Sequence, residues 1–118
     1  MKDSALTTHV LDTASGRPAE GVAVELWRMD GAGGPALVAA ATTNADGRTD
    51  APLLSAGDFA PGRYELRFAV GAYFAARGAG GAGYLDVVAV SVGLRAGEGH
   101  YHVPLLCTPW SYSTYRGS

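Results

Sequence analysis

The sequence predicts an all-β sandwich, and three observations carry that prediction. Short apolar stretches are cut by Gly, Pro, Asp and Ser at roughly eight-to-twelve-residue spacing, the rhythm of strands joined by turns rather than of alternating helices and strands. In the clearest stretch, residues 63–69, Tyr64, Leu66 and Phe68 take one side while Arg63, Glu65 and Arg67 take the other, a period of two with one dry and one wet face. Only one short segment, residues 72–77, reads as helix.

The elements follow in chain order. In residues 5–12, Leu6, Thr8 and Val10 share the core face, so His9 projects from the other face beside Thr7 and Leu11. Residues 22–29 form a second strand with Val22, Val24 and Leu26 on one side. A hairpin loop is expected at 30–35 and a turn at 44–47, where Asn44, Asp46 and Gly47 supply turn chemistry. Tyr73-Phe74-Ala75-Ala76 makes one or two helical turns that Gly78 is suited to end, and a Gly/Ala-rich link follows at 78–83. These glycines lack the strand-to-helix setting of a phosphate-cradling loop and read as a flexible surface segment. Residues 85–92 are apolar on both sides, which predicts a strand covered on both faces. Finally, residues 98–106 place Tyr101, Val103 and Leu105 on the core face and leave His100, His102 and Pro104 opposite. Proline cannot donate to a ladder, so Pro104 predicts a local break in pairing.

At 118 residues the chain fits one domain, residues 1–118. A formal charge of −2 and a pI near 5.8 provide no broad positive field, which argues against nucleic acid or an anionic membrane surface as partner. Cys107 is the sole cysteine, so neither an internal disulfide nor a thiolate metal cluster within one chain is expected, and a reducing compartment suits it. Met1-Lys2-Asp3-Ser4 is not followed by an apolar stretch of signal-peptide type, nothing is long enough to span a bilayer, and Tyr115-Arg116-Gly117-Ser118 is not a peroxisomal address. A cytoplasmic location is the expectation.

Chemistry, if present, sits with the histidines. A lone outward histidine is ordinarily a solvated surface residue, but all three here lie on non-core faces. Were the strands of His9 and His102 neighbours, two imidazoles that titrate near neutrality would share one site suited to proton transfer. His100-Tyr101-His102 also has a spacing compatible with a metal, though further ligands would have to come from His9 or a carboxylate that no local motif supplies. No Gly-x-Ser-x-Gly turn supports serine-hydrolase chemistry.

Three stretches carry a family resemblance: Leu6-Thr7-Thr8-His9-Val10-Leu11-Asp12 with Gly16-Arg17-Pro18-Ala19; Thr43-Asn44-Ala45-Asp46-Gly47-Arg48; and His100-Tyr101-His102-Val103-Pro104-Leu105-Leu106 followed by Pro109 through Ser118. Together they resemble the transthyretin-like family over essentially the whole chain. The terminal Tyr115-Arg116-Gly117-Ser118 is similar to the signature that separates the family's hydrolases from its hormone carrier. Small-residue-rich loops and Cys107, where a larger aliphatic residue is ordinary, are the departures. The resemblance implies two four-stranded antiparallel sheets with one short helix, assembled as a homotetramer, a dimer of dimers. It implies hydrolytic opening of the six-membered ring of 5-hydroxyisourate, with water as second substrate and no metal or cofactor. His102 or His9 would be the general base; Arg48 would bind the planar ring and stabilise the oxyanion; Tyr115 would close the groove over substrate. Ser118 would position water or a histidine through its hydroxyl or terminal carboxylate. A carrier would use the same groove without turnover, and a purely structural sandwich would use none of the histidines.

Overall fold

Alternation along the chain becomes two facing sheets in the computed structural model, which describes residues 4–79 and 83–117. Among these residues the order is β1 (Leu6–Asp12), β2 (Arg17–Pro18), β3 (Ala23–Arg28), β4 (Ala36–Thr42), β5 (Gly62–Phe68), helix α1 (Val70–Ala76), β6 (Val88–Leu94), β7 (Tyr101–Cys107) and β8 (Tyr112–Thr114). One sheet runs β2-β1-β7-β8 and the other β4-β3-β5-β6. The expected pair of four-stranded sheets with one short helix is therefore present. One detail is corrected: β1 and β7 run parallel, whereas the remaining pairs are antiparallel. Between β1 and β7 the chain builds the whole second sheet, and a connection of that length can return a strand in the same direction, as a hairpin cannot.

The inward faces meet as the period of two requires. Leu6, Val10, Tyr101, Val103 and Leu105 from the first sheet and Val24, Leu26, Tyr64, Leu66, Phe68, Val88, Val90 and Leu94 from the second belong to one buried cluster, joined by Val70, Tyr73 and Phe74 of the helix. Thr8 shares this face without an unpaired hydroxyl, because its Oγ1 donates to the Val103 carbonyl at 2.7 Å. The helix starts two residues before the expected segment and ends where predicted, with Gly78 at φ +66° and its N–H donating to the Ala75 carbonyl.

The strand expected at 85–92, covered twice, is corrected in extent and in burial. It begins at Val88, and Ala89, Ser91 and Gly93 face outward while Val88, Val90 and Leu94 face the core. The described residues form two sheets, so β6, the last strand of one of them, packs against the other sheet on one face only. Val87, outside the strand, is 53% exposed. Residues 80–82 of the Gly/Ala-rich link lie outside the described residues. Among the described residues no helix is long and apolar enough to cross a membrane.

Candidate active site

Because β1 and β7 are parallel neighbours in continuous register, the faces that point away from the core merge. Thr7 stands opposite His102 and His9 opposite Pro104, so the His9 and His102 rings sit diagonally with centroids 6.4 Å apart. The condition the sequence left open, that the two histidine strands be adjacent, is met. His100, just before β7, closes the group: its ring lies 6.3 Å from that of His102, and Thr7 Oγ1 is within hydrogen-bond distance of both His100 Nε2 (2.7 Å) and His102 Nδ1 (2.8 Å).

Arg48 arrives from the opposite edge of β1. The turn that carries it is closed by Gly47 N–H donating to the Asn44 carbonyl (2.9 Å) and Asn44 N–H donating to the Arg48 carbonyl (2.7 Å), while Asn44 Oδ1 accepts from the Asp46 and Arg48 N–H groups. The turn is pinned to β1 by the Val10 N–H, which donates to the Gly47 carbonyl at 2.8 Å, and His9 and Arg48 face each other in an isolated antiparallel bridge. Gly47 is obligatory here. Its φ is +76°, and a Cβ would stand 2.4 Å from the Val10 carbonyl oxygen.

Chain from 48 to 52 then walls a cleft of about 280 Å³ whose floor is Thr7, Thr8, His100 and His102 and whose side holds Arg48, Thr49, Asp50, Ala51 and Pro52. That volume sits just under the roughly 300–1,000 Å³ of ordinary ligand pockets, so the cleft suits only a small molecule. Half-burial lowers the pKa of His9 below 6.5, Arg48 lowers it further, and Asp46 acts in the opposite sense. His102 is lowered by burial first, then by Arg48, His9 and His100. Both imidazoles are thus held neutral near pH 7, able to accept a proton beside a fixed positive charge.

The carboxyl-terminal segment reaches this cleft by skipping a step. β8 pairs with β7 from Cys107 to Leu105 and stops at Thr114, whose Oγ1 donates to the Pro104 carbonyl at 2.7 Å; contact resumes where Gly117 N–H donates to the His102 carbonyl at 2.7 Å. The missing Pro104 N–H lies on this side of β7, so the break predicted from Pro104 is where the chain loops out. A Cβ on Gly117 would stand 2.7 Å from His102 Cδ2, which shows how closely the tail covers that ring. Within the loop-out, Arg116 lies over the Tyr101 ring at 4.1 Å and pairs with Glu98. Tyr115 is 62% exposed and borders a separate cleft with Val92, Leu94 and Tyr101. One chain therefore brings His9, Arg48 and His102 together and leaves Tyr115 apart from them; Ser118 lies outside the described residues.

The family model described as HIUase/Transthyretin family matches residues 6–117. The chain belongs to that family. A 5-hydroxyisourate hydrolase from Halalkalibacterium halodurans is 54% identical over 115 residues, covering 96% of this chain and 97% of the relative. The structure of Klebsiella pneumoniae 5-hydroxyisourate hydrolase superposes with a TM-score of 0.82 at 40% identity, covering 98% of this chain and 99% of that one. Sea bream transthyretin in complex with thyroxine superposes with a TM-score of 0.86 at 29% identity, covering 96% and 94%. Both branches of the family thus share this fold.

Sequence reasoning placed Thr7 beside His9 but gave it no role, gave Gly117 none beyond its place in the terminal signature, and passed over the wall at 49–52. Thr7 was recognisable only by its position two residues from His9; its partners come from a strand more than ninety residues away. As for the His-x-His metal alternative, both rings turn to the Thr7 hydroxyl, and among the described residues no three His, Cys, Asp or Glu side chains converge as a metal would require.

Proposed function

We propose that this chain is a 5-hydroxyisourate hydrolase, and the observation that carries the reading is the pairing of two neutral imidazoles, His9 and His102, beside Arg48, with Arg48 and His102 both lining one small cleft. Relatives named for that activity, similar over nearly the full chain, support it. A neutral His102 or His9 takes a proton from water as its oxygen bonds to the ring carbonyl carbon. Negative charge develops on the carbonyl oxygen, where Arg48 stabilises it. The carbon–nitrogen bond then breaks, the departing nitrogen recovers the proton, and the carbonyl carbon becomes the carboxylate of 2-oxo-4-hydroxy-4-carboxy-5-ureidoimidazoline. Every step uses side chains of this protein and water. A metal or cofactor is assigned no part.

Residues 1–118 act as one hydrolase unit in the cytoplasm, and the working form is a homotetramer, a dimer of dimers. Large exposed side chains support assembly, Trp110 at 61% and Tyr84, Tyr112 and Tyr115 among them. Tyr115 then serves the groove formed with another copy, closing it over substrate, and Ser118 positions water or a histidine. A carrier of the transthyretin kind would leave the imidazoles without employment. The two readings separate when 5-hydroxyisourate is generated in situ by urate oxidase and its ultraviolet decay is followed: substoichiometric protein accelerates decay if it is a hydrolase, whereas a carrier slows it or alters it only in proportion to the protein added.

A further inference from the structure

We propose that Thr7 and His100 form a proton relay behind His102: Thr7 Oγ1 accepts the Nδ1 hydrogen of His102 and donates its own hydrogen to His100 Nε2, leaving the His102 Nε2 lone pair free to act on water. The inference rests on the hydrolase reading and names positioning residues for it.

The geometry favours the coupling. A threonine hydroxyl has one hydrogen and two acceptor lone pairs, and among the described residues the Thr7 hydroxyl has no partner besides the two imidazole nitrogens at 2.7 and 2.8 Å, so the arrangement that uses its hydrogen donates to one ring and accepts from the other. That arrangement has two forms. In one, Thr7 donates to His102 Nδ1, so His102 carries its hydrogen on Nε2 and has no lone pair there. In the other, His102 Nδ1–H donates to Thr7, and Nε2 is a base. The hydrogen bond at one ring nitrogen thereby decides what the other can do. Thr7 owes its place to the parallel register, which sets it opposite His102, and the exposed His100 gives the chain of groups an outlet to water.

The relay balances. As His102 Nε2 takes a proton from water, its Nδ1 proton passes to Thr7 Oγ1 and the Thr7 proton passes to His100 Nε2, whose ring releases its Nδ1 proton to solvent. The same transfers run backwards when His102 returns its Nε2 proton to the departing nitrogen. Around His102 stand His9 from β1, Arg48 and Asp50 from the cleft wall, and His100 itself. Arg48 disfavours a lasting positive charge on His102, and moving that charge outward to His100 relieves the repulsion.

Two readouts test this on the full-length chain with Thr7→Val, Thr7→Ser and His100→Ala. Long-range proton–nitrogen NMR of histidine-labelled protein, recorded without substrate, should show His102 as the Nδ1–H tautomer in the wild type and Thr7→Ser, and shifted toward Nε2–H in Thr7→Val and His100→Ala. In the decay assay Thr7→Val and His100→Ala should each lower kcat about tenfold with KM within about twofold, a loss of the size expected when the partner orienting a functional imidazole is removed. Thr7→Ser should recover most of it, and the double variant should be no slower than Thr7→Val. An unchanged His102 tautomer in both Thr7→Val and His100→Ala, or losses that multiply in the double variant, would overturn the relay. Should the wild type show no turnover, the hydrolase reading fails while the tautomer measurement still decides the relay; if Thr7→Val does not fold, the exposed His100→Ala decides it alone.

Discussion

Replacing Gly47 by alanine probes the attachment of Arg48 to the rest of the site. The added Cβ would lie 2.4 Å from the Val10 carbonyl oxygen, about 1 Å inside ordinary contact, and this oxygen is held in place by the Ala19 N–H at 2.9 Å. Neither partner is the loose end of a side chain, so the turn must move. Forcing φ +76° on alanine costs ~1–2 kcal/mol. Losing the Val10-to-Gly47 hydrogen bond adds ~1 kcal/mol. The sum, ~2–3 kcal/mol, is measurable by urea denaturation at fixed protein concentration, which holds any assembly equilibrium constant. Turnover should fall further than stability suggests, since a displacement of about 1 Å at a functional group can cost ~100-fold in rate. A Gly47→Ala protein with wild-type stability and wild-type turnover would refute both the packing of this turn against β1 and the role given to its arginine.

Three further outcomes are expected. Tyr73→Phe should destabilise the fold by ~1–3 kcal/mol in the same urea experiment: burial opposes ionisation of Asp12, yet its hydrogen bonds with Ser15, Ala14 and the Tyr73 hydroxyl (2.9 Å) hold its pKa low, and the phenylalanine leaves a buried carboxylate oxygen without that donor. Because folding lowers the pKa of His9 and His102, the unfolded chain binds more protons just below their ordinary value of 6.5, so these two residues make stability fall as pH drops through that value and contribute no further slope below their folded-state pKa values. Histidine NMR titrations in Arg48→Gln should show both values rising toward 6.5, and unchanged values would remove Arg48 from the site's electrostatics. Light scattering at micromolar concentration should report a tetramer, and deletion of residues 115–118 should abolish turnover while the sandwich stays folded; full activity from a monomer would contradict the shared groove.

Alternation made the core-facing side of β1, β5 and β7 legible, and that was enough to put all three histidines on non-core faces. It carries no information about which strand lies beside which, or in which direction. The pairing of Thr7 with His102 depends on a parallel register between segments separated by the entire second sheet, so the contact of Thr7 with His100 and His102 was out of reach. β4 escaped notice because Ala36–Thr42 is an apolar, alanine-rich run without a wet and a dry side, as befits an edge strand that is mostly exposed. Residues 85–92 misled for a related reason: apolar residues on both sides read as double burial, but the outward positions of β6 hold the small residues Ala89, Ser91 and Gly93. Pro104 was informative because a missing donor has one consequence wherever the strand sits. Asp12 illustrates the opposite case, a charge on the core face that only its partner, sixty-one residues away on the helix, explains.

Hydrolysis at the cleft lined by Arg48 and His102 is tested most directly by the decay of enzymatically generated 5-hydroxyisourate, with wild type, Arg48→Ala and His102→Ala compared at equal, substoichiometric concentration. The account predicts rapid decay with the wild type and at least a ~100-fold loss of rate in each variant, the lower bound for removing a general base or an oxyanion partner, with unfolding curves close to wild type because both side chains lie off the core face. Wild-type decay rates in either folded variant would contradict it.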